Sequence, residues 1–336
     1  MTGRRQRSRR EWVRQISTSS GAAMSTYRHA LPQLSDRVFL TDGGIETSLI
    51  YDQGMELPHF AAFVLLDDEA GRAALRRYLQ PYLSIARDAG LGLVLESATW
   101  RANRDWGERL GYSRNALADV NRAAVELLGK LRGEYATADG PVVLSGCIGP
   151  RDDGYQPESL MTASQAEEYH TEQVATFQMT DADLVTAITM THTGEAIGIA
   201  RAAQAHGLPS VISFTVETDG RLPSGETLEE AIKTVDEETA SAPAYYMVNC
   251  AHPTHVDTTL IAGESWNARV RGLRANASTM SHAELDVAEE LDTGDIEDLG
   301  ARYAALREKL PRLTVLGGCC GTDARHIDAI RRHCIA

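Results

Sequence analysis

Leu316-Gly317-Gly318-Cys319-Cys320-Gly321-Thr322 lies close to the end of the chain, and how it is read decides the fold. The residues before it, Leu313-Thr314-Val315-Leu316, form a short apolar run of strand type. The glycines and the paired cysteines therefore fall where a buried strand gives way to a loop. Adjacent cysteines are too close to form an ordinary disulfide with each other. A third cysteine stands in an equivalent place, in Val248-Asn249-Cys250, after the apolar run Tyr245-Tyr246-Met247-Val248. Three thiolates from the ends of two strands suit a soft, closed-shell ion such as zinc. Any one of them alone would read as a small buried residue; the shared position and the flanking glycines set the group apart.

The same rhythm recurs toward the N-terminus. Val38-Leu40 ends at Asp42-Gly43-Gly44, Leu91-Leu95 at Glu96, and Val142-Leu144 at Ser145-Gly146-Cys147. Leu184-Ile188 ends at Thr189, Val211-Val216 at Glu217, and Val270-Leu273 shortly before Asn276. With the two cysteine-bearing runs this makes eight strand candidates. Between most of them lie stretches with apolar residues at three- and four-residue spacing: 68–89, 117–131, 163–179, 195–205, 226–239 and 296–310, with a last helix over 325–332. Thr162 with Gln165, Thr193 before Glu195, and Asp323 are the predicted helix caps. Alternation of this length favours an α/β fold of the closed (β/α)8 TIM-barrel type. An open doubly wound sheet is the competing arrangement, because short apolar runs do not reveal closure.

In a barrel of this kind functional groups gather at the C-terminal ends of the strands. Asp42, Glu96, Cys147, Glu217, Cys250, Asn276, Cys319 and Cys320 share that register and would converge on one mouth. His252 and His255 read as the start of a helix with Pro253 in its first turn, rather than as metal ligands. Trp100, Trp106 and Trp266 are candidate walls, and the acid-rich stretch 284–298 is a solvated loop and helix long enough to cover the mouth. Gly43-Gly44 lacks the remaining spacing of a dinucleotide loop, and no GxxxxGKS/T segment occurs.

Composition bounds the rest. The chain has 336 residues, 43% of them apolar, and can bury a large core. A formal net charge of -14 argues against a nucleic-acid partner. There is no run of eighteen apolar residues, so no membrane span is expected. Five cysteines in a chain of this size fit a reduced, cytoplasmic setting better than a disulfide scaffold. Residues 1–23 hold six arginines and one acid and lack a secretory apolar core. They read as a disordered basic extension or a misassigned start upstream of Met24, leaving 24–336 as one barrel domain.

These segments resemble the homocysteine S-methyltransferase family. The likeness runs through Asp42-Gly43-Gly44, Ser145-Gly146-Cys147-Ile148-Gly149-Pro150, Ser213-Phe214-Thr215-Val216 and 219–228. Its most specific parts are Asn249-Cys250 and Gly317-Gly318-Cys319-Cys320-Gly321-Thr322, followed by His326-Ile327. The resemblance implies a zinc-binding barrel that methylates a thiol. Cys250, Cys319 and Cys320 would hold the metal, Cys147 and Cys334 would not, and Asp42 would help hold an amino-acid acceptor. In one place the chain departs from the family. Ile188 stands where the family commonly carries a glutamate that grips the amino group of homocysteine. Glu217 is the first candidate to replace that glutamate and Glu96 the second, with Asn276 a further polar group at the mouth.

The implied reaction moves a methyl group from a sulfonium co-substrate, S-methylmethionine or S-adenosylmethionine, to homocysteine, giving methionine (EC 2.1.1 class). A betaine-type donor or another small thiol acceptor is the enzymatic alternative. A noncatalytic, zinc-stabilised interaction protein is the alternative of another class.

Overall fold

In a computed structural model that describes residues 25–155, 160–261 and 263–335, eight parallel strands close into a barrel. The predicted basic extension, 1–23, lies outside the described residues. The strands are β1 (Phe39–Leu40), β2 (Gly92–Glu96), β3 (Val142–Ile148), β4 (Leu184–Met190), β5 (Ser210–Thr215), β6 (Tyr245–Asn249), β7 (Val270–Ala275) and β8 (Val315–Gly318). They pair in sequence order, and β8 returns to β1 through Phe39 beside Val315 and Leu40 beside Leu316. The open sheet is thereby excluded.

Seven longer helices connect or follow the strands: α1 (Glu69–Asp88), α2 (Arg114–Tyr135), α3 (Ala163–Gln178), α4 (Thr193–Ala205), α5 (Leu228–Thr239), α6 (Ile296–Lys309) and α7 (Ala324–Cys334). The β6–β7 connection carries the short Pro253–Val256 helix and a helical turn at Ser265–Arg269 instead. Thr162 and Gln165 form a reciprocal capping box on α3, and Asp323 caps α7 with His326. Thr193 differs from its predicted role. His192 occupies the cap position without a capping hydrogen bond, and the Thr193 hydroxyl donates to Glu226 at 2.8 Å. That bond ties α4 to the β5–α5 loop.

Side chains alternate across each strand, which divides the core in two. Phe39, Val94, Val143, Leu184, Val211, Tyr245, Met247 and Val315 pack together in one buried cluster, with Cys147 and Ile188. A larger cluster, including Leu95, Leu144, Val185, Ile212 and Leu316, packs with helix residues such as Leu79, Leu128 and Phe177. Among the inner side chains polar pairs interrupt the hydrocarbon: Ser145 bonds Thr186 at 2.7 Å, and Ser213 donates to Asn249 at 2.6 Å. The segment after Met24 joins the barrel where β4 begins. The Tyr27 amide donates to Asp183, and Arg28 reaches the carbonyls of Gln178, Thr180 and Ala182.

Two glycines at the end of β8 are required by close approach. A Cβ on Gly317 would enter the van der Waals shell of Thr41 Oγ1, and one on Gly318 that of Thr322 Oγ1. Gly317→Ala is therefore expected to lower unfolding stability by about 1–3 kcal/mol, a loss measurable as a lower midpoint in thermal or denaturant unfolding. An unchanged midpoint would show that β1 yields without cost.

Candidate metal and substrate site

Cys250 immediately follows β6, and Cys319 and Cys320 immediately follow β8. Their positions are set by the strand lying between. The Cys250 amide donates to the Arg274 carbonyl of β7 at 3.1 Å, and the Cys319 amide donates to the next carbonyl, that of Ala275, at 2.8 Å. Cys250 sits in the left-handed backbone region at φ 53°. Its carbonyl accepts from Asn276 Nδ2 at 3.0 Å and lies 2.6 Å from His282 Nε2. The three sulfurs lie within 4.8 Å of one another.

Among the described residues this is the one group of three or more cysteine, histidine or acidic side chains so arranged. Soft donors and mutual proximity fit zinc, and no fourth side chain among the described residues joins them. The structure differs from the expectation of three free thiols in that Cys250 and Cys319 stand as a disulfide pair, with Cα atoms 5.4 Å apart. Two thiols placed to share one small ion are also placed to oxidise one another. Metal binding belongs to the reduced form.

A cavity of about 210 Å³ opens over the cluster. Its wall includes Asp42, Glu96, Cys147 and Ile188 together with the three cysteines. Asp42 is buried; it accepts from Arg274 Nη2 at 2.7 Å and from the Tyr78 hydroxyl at 3.0 Å. Arg274 also donates to the Gly318 carbonyl at 3.1 Å and lies 3.8 Å from Glu96. Burial opposes the charge of this guanidinium, but Asp42 and Glu96 more than offset it and hold Arg274 above its usual range. Burial pushes Glu96 up to about 7 against the pull of Arg274. Its Oε2 is buried without a hydrogen-bond partner.

Other expected residues lie elsewhere. Glu217 is 36% exposed in its side chain, pairs with His282 at 3.2 Å, and does not line the cavity. Asn276 is likewise outside the lining and holds the Cys250 carbonyl. His252 caps the Pro253–Val256 helix, and His255 bonds the Thr279 carbonyl at 3.0 Å. Trp100 lines the cavity, whereas Trp106 and Trp266 do not. Asp286, from the acid-rich stretch, does reach the wall. A second cavity of about 140 Å³, lined in part by Tyr51, His282 and Glu290, shares Phe60, Tyr155, Asp286 and Cys320 with the first.

Arg274, Arg101, Glu46 and Tyr78 were not singled out from the sequence. For Arg274 the signal was present, as a charged residue inside an otherwise apolar strand. Glu46 lies in the short helix Ile45–Thr47 that follows Asp42-Gly43-Gly44, lines the cavity, and is pushed up to about 7 by burial. The tip of β4 is irregular: its register shifts between Ala187 and Met190, and Thr189 has φ 66°. Asn249 holds that turn, accepting from the Thr189 amide and donating to its hydroxyl, both at 2.9 Å. This bulge delivers Ile188 to the cavity wall.

A family profile described as homocysteine S-methyltransferase matches residues 39–334. Crystal structures of the homocysteine methyltransferase MmuM from Escherichia coli align along nearly the whole chain. The oxidized form is 17% identical with a TM-score of 0.70, covering 91% of this chain and 99% of that one. The metallated form is 16% identical with a TM-score of 0.67, covering 90% and 98%. At such identities the likeness shows the fold. No curated protein matches the chain.

Two consequences follow from the geometry. Cys320→Ser should lose most bound zinc under reducing conditions while keeping the barrel's circular dichroism, and Cys147→Ser should retain the metal. Full zinc content in the Cys320 variant would remove that cysteine from the site. Asp42→Asn leaves the Arg274 charge buried without its close counter-ion, so a loss of about 3–5 kcal/mol in unfolding stability is expected; equal midpoints would show that Glu96 alone satisfies the guanidinium.

Proposed function

The chain belongs to the homocysteine S-methyltransferase family, and we propose that it transfers a methyl group from a sulfonium donor, S-methylmethionine or S-adenosylmethionine, to the thiol of homocysteine. The observation that carries this reading is the three-cysteine cluster at the base of a substrate-sized cavity, with no fourth side-chain ligand among the described residues. A noncatalytic zinc site would be expected to close its coordination with a fourth protein ligand. The reading takes residues 24–336 as one catalytic domain acting in the cytoplasm.

Zinc held there would lower the pKa of an incoming alkyl thiol and keep it as the nucleophilic thiolate. The protein's own part is placement and charge. Asp42, fixed by Tyr78 and Arg274, orients the polar end of the acceptor. Glu96 takes the part of the family glutamate missing at Ile188, because it lines the cavity and its Oε2 has no hydrogen bond, only the long ion pair to Arg274 at 3.8 Å. Glu217, already paired with His282, is the weaker candidate. A buried ammonium left unpaired would be costly.

The reading places the donor in the adjoining cavity, which is lined by the aromatic residues Tyr51, Phe60 and Tyr155 and by the acids Asp286 and Glu290, a setting suited to a cation. On transfer, a sulfur lone pair of the acceptor forms the new S–CH3 bond. The donor's S–CH3 bond breaks, and its electron pair stays on the departing sulfur. Since the donor's positive charge is lost on the way, the acidic wall must bind it without favouring the ground state over the transition state. Holding sulfur and methyl about 3–3.5 Å apart and in line supplies much of the rate. The same aromatic lining supports a betaine-type donor as the second reading.

The test is mass detection of products from a panel of thiols, each offered S-methylmethionine, S-adenosylmethionine and betaine. Methylation of another thiol with none of homocysteine would end the homocysteine assignment. The pH dependence gives a sharper check on Glu96. Its folded pKa of about 7 lies above the ordinary 4.5, so its charged form is lost as pH falls through neutrality. At this carboxyl, stability falls as pH rises from about 4.5 to 7, while ammonium binding is gained over the same rise. The charged groups facing it are Arg274 and Asp42. The KM for homocysteine should therefore climb as pH drops below about 7, and Glu96→Gln should raise it about tenfold or more and flatten that climb. A Glu96→Gln protein with wild-type KM at every pH would free Glu96 of the role.

A further inference from the structure

We infer that Arg101 is the anion anchor of the acceptor site: its guanidinium receives the acceptor's carboxylate on the Nε–Nη2 edge. This deepens the methyl-transfer reading and rests on it.

Arg101 follows β2 in the Trp100-Arg101 pair, is only 7% exposed, and lines the same cavity as Asp42, Glu96 and the cysteines. Its guanidinium carbon lies 4.3 Å from the Trp100 ring centre and 3.8 Å from that of Trp106. This stacking fixes the plane of the group and leaves its edge for hydrogen bonding. Nη1 is used, donating to the Asp152 carbonyl at 3.2 Å. Nη2 has a loose ion pair, 3.6 Å from the carboxylate of Asp153, whose side chain is 48% exposed. Nε is buried with no hydrogen-bond partner.

A donor buried on a charged group without an acceptor is costly to keep. A bound carboxylate would satisfy it, since two parallel N–H groups on one guanidinium edge match the two oxygens. The cavity's other buried cation, Arg274, is already committed to Asp42, Glu96 and the Gly318 carbonyl. Arg101 is therefore the cation with capacity to spare. At rest, Asp153 and Glu46 are the acids nearest in effect to its charge, and an incoming anion displaces Asp153 toward solvent.

This assignment also gives Ile188 a place. Where the family commonly presents a glutamate, this chain presents an apolar wall, so discrimination between acceptors shifts from the ammonium toward the carboxylate. An acceptor bearing a carboxylate and no ammonium should then keep the Arg101 contact and lose only that of Glu96, binding more weakly than the amino acid but more tightly than an amine without a carboxylate.

The experiment uses thioethers, which report on the acceptor pocket without catalysis. L-Methionine, 3-(methylthio)propionate and 3-(methylthio)propylamine are titrated into the reduced full chain by calorimetry, with tryptophan fluorescence as the second readout because Trp100 and Trp106 stack on the guanidinium. Arg101→Gln should weaken both carboxylates by about tenfold to a hundredfold and leave the amine unchanged; Arg101→Lys should recover part of the loss as a point charge. Equal weakening of all three ligands would show that Arg101 only holds its loop, and unchanged carboxylate affinity would remove it from the pocket; either result overturns the anchor. If none of the three binds the wild-type chain at millimolar concentration, the methyl-transfer reading falls and takes this inference with it. Binding that ignores position 101 would sink the anchor alone.

Discussion

The site depends on two consecutive carbonyls of β7. Those of Arg274 and Ala275 accept from Cys250 on one side and Cys319 on the other, so the spacing between the thiols is a property of the strand ladder. Neighbouring strands lie about 4.8 Å apart, and side chains leaning inward from the strands flanking β7 meet across it. Barrel closure is what makes this rigid, because β8 is held on its far side by β1. Arg274 then extends the constraint: its backbone positions a metal-binding cysteine while its guanidinium positions Asp42. The metal end and the substrate end of the cavity are linked through one residue.

Charge is distributed in the cavity with little slack. Asp42 accepts hydrogen bonds from both Arg274 and Tyr78, whereas the Glu96 Oε2 lies 3.8 Å from Arg274 and accepts no hydrogen bond. Burial holds this carboxylate back from ionising against the pull of Arg274, and leaves it room for a closer cation. Arg101 is a buried cation whose Nε has no hydrogen-bond partner and whose Nη2 holds only the long pair to Asp153 at 3.6 Å. The two groups are complementary to a zwitterion, which brings its own partner for each. Interior pairs that are complete without a ligand, such as Asp42 with Arg274, contribute orientation instead.

The backbone plan was legible because strand ends and helix periodicity are local signals. Each of the eight apolar runs became a strand, and the helices at 69–88, 163–178 and 296–309 fall within a residue of where spacing placed them. The three cysteines were legible for the same reason, since position after a strand fixes the end of the barrel a residue faces. Direction of view was harder. Glu217 and Asn276 share the register of Glu96, yet loop geometry turns them to His282 and to the Cys250 carbonyl. Arg101 comes from a turn and Glu46 from a helix of only three residues, too short for periodicity to say which way a side chain points. The bulge at Thr189 depends on Asn249, sixty residues away in sequence, and such contacts leave no mark on a single sequence.

The left-handed conformation of Cys250 leaves an imprint at the level of descent. An L-residue with a side chain held there gives up about 1–2 kcal/mol relative to glycine, and two neighbouring groups are committed to its carbonyl. Selection for stability alone would drive that position to glycine or asparagine. Only a sulfur that is used resists the drift. In a lineage of such barrels, a cysteine kept at this single turn therefore marks a chain that still uses the sulfur, and a glycine or asparagine there marks one that has kept the architecture without it.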